Sequence, residues 1–244
     1  MVLLSCVCLS TFAQEQFIVK GKIEFEKKVN IHKQLDNIEE DAGWRDMVKK
    51  TTPPVKTTYF DLYFNGNKTI FMPGREVVSA QKGSEWVEGP AADNIVFTNL
   101  DQQSVVSQKT VYDNVFNVQD SVRKINWKIT PDTRTIAGFT CRKATAVIMD
   151  TVFVVAFYCD QIVTSGGPES FVGSLPGMVL GLAIPRLNST WFATKLEMID
   201  VKENMLVPPK KGKKTTGNDL KTQLKQSMKD WGKMGAKNML QASI

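Results

Sequence analysis

One histidine, His32, stands in a chain of 244 residues. That scarcity excludes zinc or copper sites built on several imidazoles. It also leaves any cysteine nucleophile a single histidine to serve as its base. No stretch reaches about 18 consecutive apolar residues, which excludes a polytopic helical membrane protein. No strand–helix–strand alternation runs through the chain, so a parallel sheet is not expected. Neither a phosphate loop with Gly-Lys-Ser/Thr nor a Gly-x-Ser-x-Gly nucleophile elbow occurs. What remains is an ordinary globular composition, 42% apolar and 23% charged. The length suits one large domain or two small ones.

Residues 1–13 read as a secretory leader without its usual basic start. Val2, Leu3, Leu4, Cys6, Val7, Cys8 and Leu9 form an apolar core, and Thr11-Phe12-Ala13 places small residues at a cleavage site before Gln14. Removal of the leader takes Cys6 and Cys8 with it and leaves Cys141 and Cys159. Each sits on a strand of one hairpin. A three-residue turn centred on Asp150 places them opposite each other; a two-residue turn opposes 141 to 160. Two readings therefore stand, a cross-strand disulfide in an oxidising compartment or two buried free thiols.

The net charge of +6 is unevenly placed. Residues 208–244 hold nine lysines against two aspartates, a local +7, so the remaining body is close to neutral at −1. The tail begins with a Lys-, Gly- and Thr-rich linker. It continues with Leu220, Leu224, Met228 and Trp231 at helical spacing, which predicts a basic amphipathic helix or a disordered tail. Such a helix suits an anionic membrane surface or a partner protein. The body carries no basic stripe with interleaved aromatics, and nucleic acid is not an expected partner.

Most of the body alternates with period two. Over 16–32 the odd positions Phe17, Val19, Ile23, Phe25, Val29 and Ile31 are apolar, interrupted by Lys27, and the even positions are polar. His32 falls on the wet face of this strand. Residues 33–50 form a polar insertion with Leu35, Ile38 and Ala42 at helical spacing, read as a short surface helix or loop. Strands are expected at 59–64 and 68–72 around an Asn65-Gly66 turn. Others are expected at 95–98, 104–107, 111–118, 125–129, 140–149, 152–159 and 190–201. The fold class is mainly β: one large curved antiparallel sheet of about nine or ten strands, half-barrel or bowl-like, with a short helical insertion and a basic C-terminal tail. The expected division is a leader at 1–13, a β domain at 14–207 and the tail at 208–244.

Residues 166–184 stand apart, with five glycines and two prolines in apolar surroundings and Glu169 as the only charge. Gly166-Gly167-Pro168 and Leu175-Pro176-Gly177 read as tight turns. Phe171, Val172, Leu175, Met178, Val179, Leu180 and Leu182 are expected to be buried, in a kinked connection that plugs one end of the sheet.

This segment resembles the signature of the GLPGLI family, exported proteins found mainly in Bacteroidota. The residues that carry the resemblance are Gly167, Pro168, Phe171, Leu175, Pro176 and Gly177, supported upstream by Trp127 and the 136–144 string Ile-Ala-Gly-Phe-Thr-Cys-Arg-Lys-Ala. The chain departs from the signature at Ser174, and Cys159 is a local feature. The resemblance covers residues 16–203. It implies an exported β-rich envelope protein, periplasmic, outer-membrane associated or secreted, and carries no catalytic residues over.

These readings lead to an expected function. The chain is a non-enzymatic binding or carrier module whose concave sheet face holds an apolar or glycan ligand or an envelope protein partner. The alternative is an envelope scaffold with peripheral membrane contact through its tail. No catalytic, cofactor or metal residues are identified. The carboxylate pair Glu24 and Glu26 on one strand face reads as a surface feature.

Overall fold

The computed structural model describes residues 17–37, 41–77 and 89–244. The leader-like segment, Ile38 and the Glu39-Glu40 pair lie outside the described residues. Among the described residues twelve strands form one sheet in the order β12-β6-β5-β4-β3-β2-β1-β11-β10-β9-β8-β7. In chain order they are β1 (Lys20–Asn30), β2 (Val55–Asn65), β3 (Lys68–Pro73), β4 (Ile95–Asn99), β5 (Ser104–Val111) and β6 (Asn114–Ser121), then β7 (Lys128–Ile136), β8 (Phe139–Ile148), β9 (Val152–Cys159), β10 (Met178–Ile184), β11 (Ser189–Glu197) and β12 (Lys213–Thr215). Among the described residues four α-helices accompany them: α1 (Ile31–Asp36), α2 (Ala42–Thr51), α3 (Gly217–Ser227) and α4 (Gly232–Ala242).

Every pairing between the described strands is antiparallel except that of β12 with β6, which runs parallel. The sheet is therefore the large curved one read from the alternation, with two strands more than expected. The additions are β10, hidden in an apolar Gly-rich run with no alternation, and β12, a three-residue piece of the linker. Curvature is explicit in the contacts: the turn 147–149 at the end of β8 lines the same cleft as β5 and β6, which lie far from it in the strand order.

β1 shows why the sheet forms where it does. Ile23, Phe25 and Val29 are buried, and of the even positions between them Glu24 and Glu26 are half-exposed and Lys28 is exposed. Lys27 shares the buried face, and the fold accommodates it without an alternation break. Its ammonium lies 5.4 Å from the ring centroids of both Phe60 and Trp191 and donates to the Ala92 carbonyl at 3.0 Å. Cation–π contact and one carbonyl offset part of the desolvation of that charge. The strand ends at Asn30, whose side chain caps α1 by accepting from Lys33 N. His32 therefore sits on a helix and not at a strand end, and its Nε2–H donates to the Thr52 carbonyl at 3.0 Å.

The polar insertion forms two helices, α1 and α2, where one was expected. Asp41 caps α2 by accepting from Trp44 N at 3.1 Å. The β2–β3 connection is a two-residue turn at Gly66–Asn67, with Gly66 at φ +56° as hairpin twist requires. The main core lies on the concave face, where Phe60 and Phe71 stack with centroids 4.8 Å apart and Phe25 meets Phe71 edge-on.

Two segments close the concave face. Residues 166–177 cover the β8–β11 side, and Phe171, Val172, Leu175 and Met178–Leu180 are buried there. Residues 208–244, the basic tail, supply β12, α3 and α4. Leu220, Leu224 and Met228 pack on Val111, Phe116 and Val118, while Leu240 and Ile244 reach the main core.

Candidate functional site

The opening between these two closures is a cleft of about 510 Å³, within the size range of small-ligand sites. Its floor is set by strand register. Val105, Ser107 and Lys109 on β5 lie opposite Asp120, Val118 and Phe116 on β6, so all six share the inward face. Helix α3 contributes Asn218, Leu220, Lys221 and Leu224 to one wall, and the turn from Val147 to Met149 forms the other. Ser170 and residues 242–244 lie at the back.

The cleft is unusually basic for so enclosed a place. Lys109, Arg123, Lys124 and Lys221 line it against one carboxylate side chain among the described residues, that of Asp120. The Lys109 ammonium donates to the Ala242 carbonyl at 2.9 Å, and Arg123 Nη2 donates to the Ser243 carbonyl at 2.8 Å. Ser170 Oγ donates to the Ile244 carbonyl. Burial pushes Lys109 down to about 8, with neighbouring Arg123 adding to the fall and Glu169 and Asp120 opposing it. Burial also lowers Arg123, whose Nη1 is enclosed and meets no acceptor among the described residues.

The nearby carboxylates are already engaged. Asp120 accepts from Gly217 N at 3.1 Å and so anchors the start of α3. Glu169 is buried and accepts from Asn94 Nδ2 at 2.9 Å. Its backbone is left-handed at φ +54°, a conformation that favours glycine. Chemically the arrangement is a set of hydrogen-bond donors with an excess of positive charge above an apolar rim of Val147, Met149 and Leu224.

The residues singled out from sequence fall elsewhere. Gly167 and Pro168 open the plug, and the Phe171 ring lies 6.5 Å from that of Trp127. Leu175 accepts from Ser165 Oγ and from Gly177 N through its carbonyl. Gly177 has φ +143°, and a Cβ there would collide with the Cys159 carbonyl. Of this segment only Ser170 reaches the cleft. Cys141 and Cys159 are free, buried thiols. The constant register that pairs Arg142 with Tyr158 continues to place them opposite each other, across a three-residue turn with Met149 and Asp150 left-handed. Burial and the neighbouring Cys159 push the Cys141 thiol up to about 12.

Glu24 accepts from Arg75 Nε at 2.9 Å and from Thr194 at 2.6 Å, and Glu26 pairs with Lys28. These bonds place the acidic pair in the convex surface, away from the cleft. Sequence reasoning missed Lys109, Arg123, Asp120 and Lys221. The one signal for Lys109 was its inward place in the alternation that begins at Ser104, and the expected strand stopped at 107.

Comparison with known proteins identifies the family. Residues 74–221 match the sequence profile of the PNGase F-II N-terminal domain, described as N-glycanase peptide, N-terminal domain. The match spans more than half of the chain. This chain belongs to the PNGase F-II N-terminal domain family. No match to the GLPGLI family was found, and that resemblance is corrected. Part of it rested on the Leu175-Pro176-Gly177 turn, where packing against the Cys159 carbonyl already requires a glycine at 177. The expectation of a non-enzymatic carrier, or of an envelope scaffold, is also overturned, because the matched domain is that of an enzyme family.

Two solved structures of PNGF-II, in space groups C2 and P21, share the fold. Each is 16% identical with a TM-score of 0.52, over 83% and 88% of this chain. The chain spans about a third of their length, 32% and 34%. No curated protein matches.

Proposed function

We propose that this chain works in N-glycan removal as the amino-terminal domain of an N-glycanase, with the cleft between β5, β6, α3 and the 147–149 turn holding the carbohydrate of a glycoprotein. One observation carries the reading. The family match over 74–221 includes the cleft residues from Val105 to Lys221, and stops before Leu224 and the C-terminal residues that back it. Of the two ligand chemistries read from the sequence, apolar or glycan, the lining favours the glycan. Lysine, arginine, asparagine, serine and aspartate side chains suit hydroxyl groups, and Val147, Met149 and Leu224 suit the apolar faces of sugar rings. Leu220, Leu224 and Met228 of the tail's apolar stripe, which a membrane contact would need, pack on β5 and β6. Export is part of the proposal and is supported by the leader-like composition of residues 1–13.

The test is calorimetric titration of the protein with an N-glycopeptide and with the same peptide lacking its glycan. The glycopeptide is expected to bind and the bare peptide not to bind. Lys221→Glu on the exposed wall should weaken the glycopeptide. Equal behaviour of the two peptides, or of the variant and the parent, would remove the cleft from the function.

A further inference from the structure

The cleft holds more positive charge than the described residues around it neutralise. Lys109 is withdrawn from water and Arg123 partly so, and their direct acceptors are the neutral carbonyls of Ala242 and Ser243. A buried cation without an ionic partner is costly. Glu169 and Asp120 act on these cations through space, but each carboxylate is bonded to another donor, Asn94 Nδ2 and Gly217 N. Lys124 and Lys221 add two more cations toward the mouth. A concave site of one sign with low-dielectric walls concentrates its field on whatever enters.

We propose that the cleft selects acidic carbohydrate: the oxyanion of a sugar carboxylate or sugar sulfate binds among Arg123, Lys124 and Lys221, with Lys109 behind them. The proposal rests on the carbohydrate reading above and narrows it to a charged substrate class. The geometry suits such a group. The Arg123 guanidinium is planar and anchored at one end by Ser243, so it is held for paired hydrogen bonding to an oxyanion. Lys221 projects from α3, whose first turn is tied down by Asp120, so the lysine's position relative to Arg123 is fixed by the sheet. A neutral sugar uses the hydroxyl-binding groups and the apolar rim but leaves the field unanswered. The charge term should therefore appear as discrimination between acidic and neutral glycans and should weaken with salt.

The experiment titrates the full chain with four probes: a sialylated N-glycopeptide, the same glycopeptide after desialylation, a sulfated disaccharide, and inorganic sulfate. The expected result is roughly tenfold tighter binding of the sialylated over the neutral glycopeptide. That preference should shrink as salt rises from low to physiological strength. Arg123→Gln should abolish it. Because Arg123 also holds Ser243, the double variant Lys124→Gln/Lys221→Gln, at side chains that no described hydrogen bond uses, should reduce it independently. Preference for the sulfated disaccharide over inorganic sulfate shows that the sugar is read along with the charge. Inorganic sulfate binding as tightly as the acidic sugars would overturn the proposal in favour of a simple anion site. Equal affinity for sialylated and neutral glycopeptides would overturn it while leaving the carbohydrate reading intact. Binding of none of the four would sink both.

Discussion

The two closures of the concave face solve the same problem with different chemistry. On the β8–β11 side a short glycine-rich connection lies flat on the sheet and the interface is dry. Phe171, Leu175, Met178 and Leu182 leave no room for charge apart from Glu169 at its edge. On the β5–β6 side the cover consists of two helices brought in from the end of the chain. It seals at Leu220, Leu224 and Met228 but stands open above Lys109 and Arg123. The first closure provides packing; the second sacrifices packing to leave a charged opening. A sheet curved this strongly has one concave face to cover, so stability and binding divide it between them.

The comparison can be broken most directly on the dry side. Phe171→Ala should lower unfolding free energy by about 3–5 kcal/mol, the usual cost of removing a fully buried aromatic ring. Urea denaturation measures it. A loss under about 1 kcal/mol would mean that the plug is loosely seated, against the burial seen here.

The second contrast is in pH. Lys109 is depressed from 10.5 to about 8 in the folded protein. Between those values the unfolded chain holds a proton that the folded chain has released, so stability should rise with pH across that window. The gain is about 3 kcal/mol by linkage. Cys141 is raised from 9.0 to about 12. From 9 upward the folded thiol keeps a proton that the unfolded one loses, so stability should fall as pH rises. The cleft and the dry side thus pull in opposite directions in alkali. Lys109→Met should remove the rise and Cys141→Ala should lessen the fall, to which the raised Cys159 thiol also contributes, each read as the change in slope of stability against pH. Unchanged slopes in both variants would refute the assignment.

Leu224→Ala probes the seal itself. It should destabilise by about 2 kcal/mol, at the low end for a buried leucine because the adjoining cleft admits water to the gap. It should also weaken glycopeptide binding, whereas Phe171→Ala should leave binding unchanged in the folded protein. The smallest effect expected is at the cysteines. Their facing positions let a disulfide oxidant such as oxidised glutathione join Cys141 to Cys159, although burial of both thiols will make the exchange slow. Mass analysis after alkylation distinguishes one linked pair from two modified thiols, and two modified thiols would leave both as packing residues.

Much of the sheet was legible because one wet face imposes alternation. β1 and β2 lie close to where the period-two pattern puts them and β9 where its apolar run puts it, while the turn at 149–151 has three residues, one of the two lengths the sequence left open. β10 was hidden for the opposite reason: Met178–Ile184 is covered on both faces, so no alternation marks it. β12 was invisible because Lys213–Thr215 pairs only through its backbone, with β6. The cleft was the least legible part. Lys109, Arg123 and Lys221 are separated by long stretches of chain and have no motif spacing. The glycine-rich segment drew attention because its turns are crowded, yet crowding at Gly177 reports packing and not chemistry.

Alone, the sequence determined a curved antiparallel sheet, the burial of the glycine-rich connection and a tail charged apart from its body. Those follow from local periodicity, turn chemistry and composition, each of which acts over a few residues. The tertiary structure decided that the tail folds back as part of the cover and that Lys27 lies between two rings. It also decided that four cations converge on one cleft. The physical reason is that burial and electrostatic fields depend on distances in space, which this sheet sets by bringing β5 and β6 round to face the end of β8.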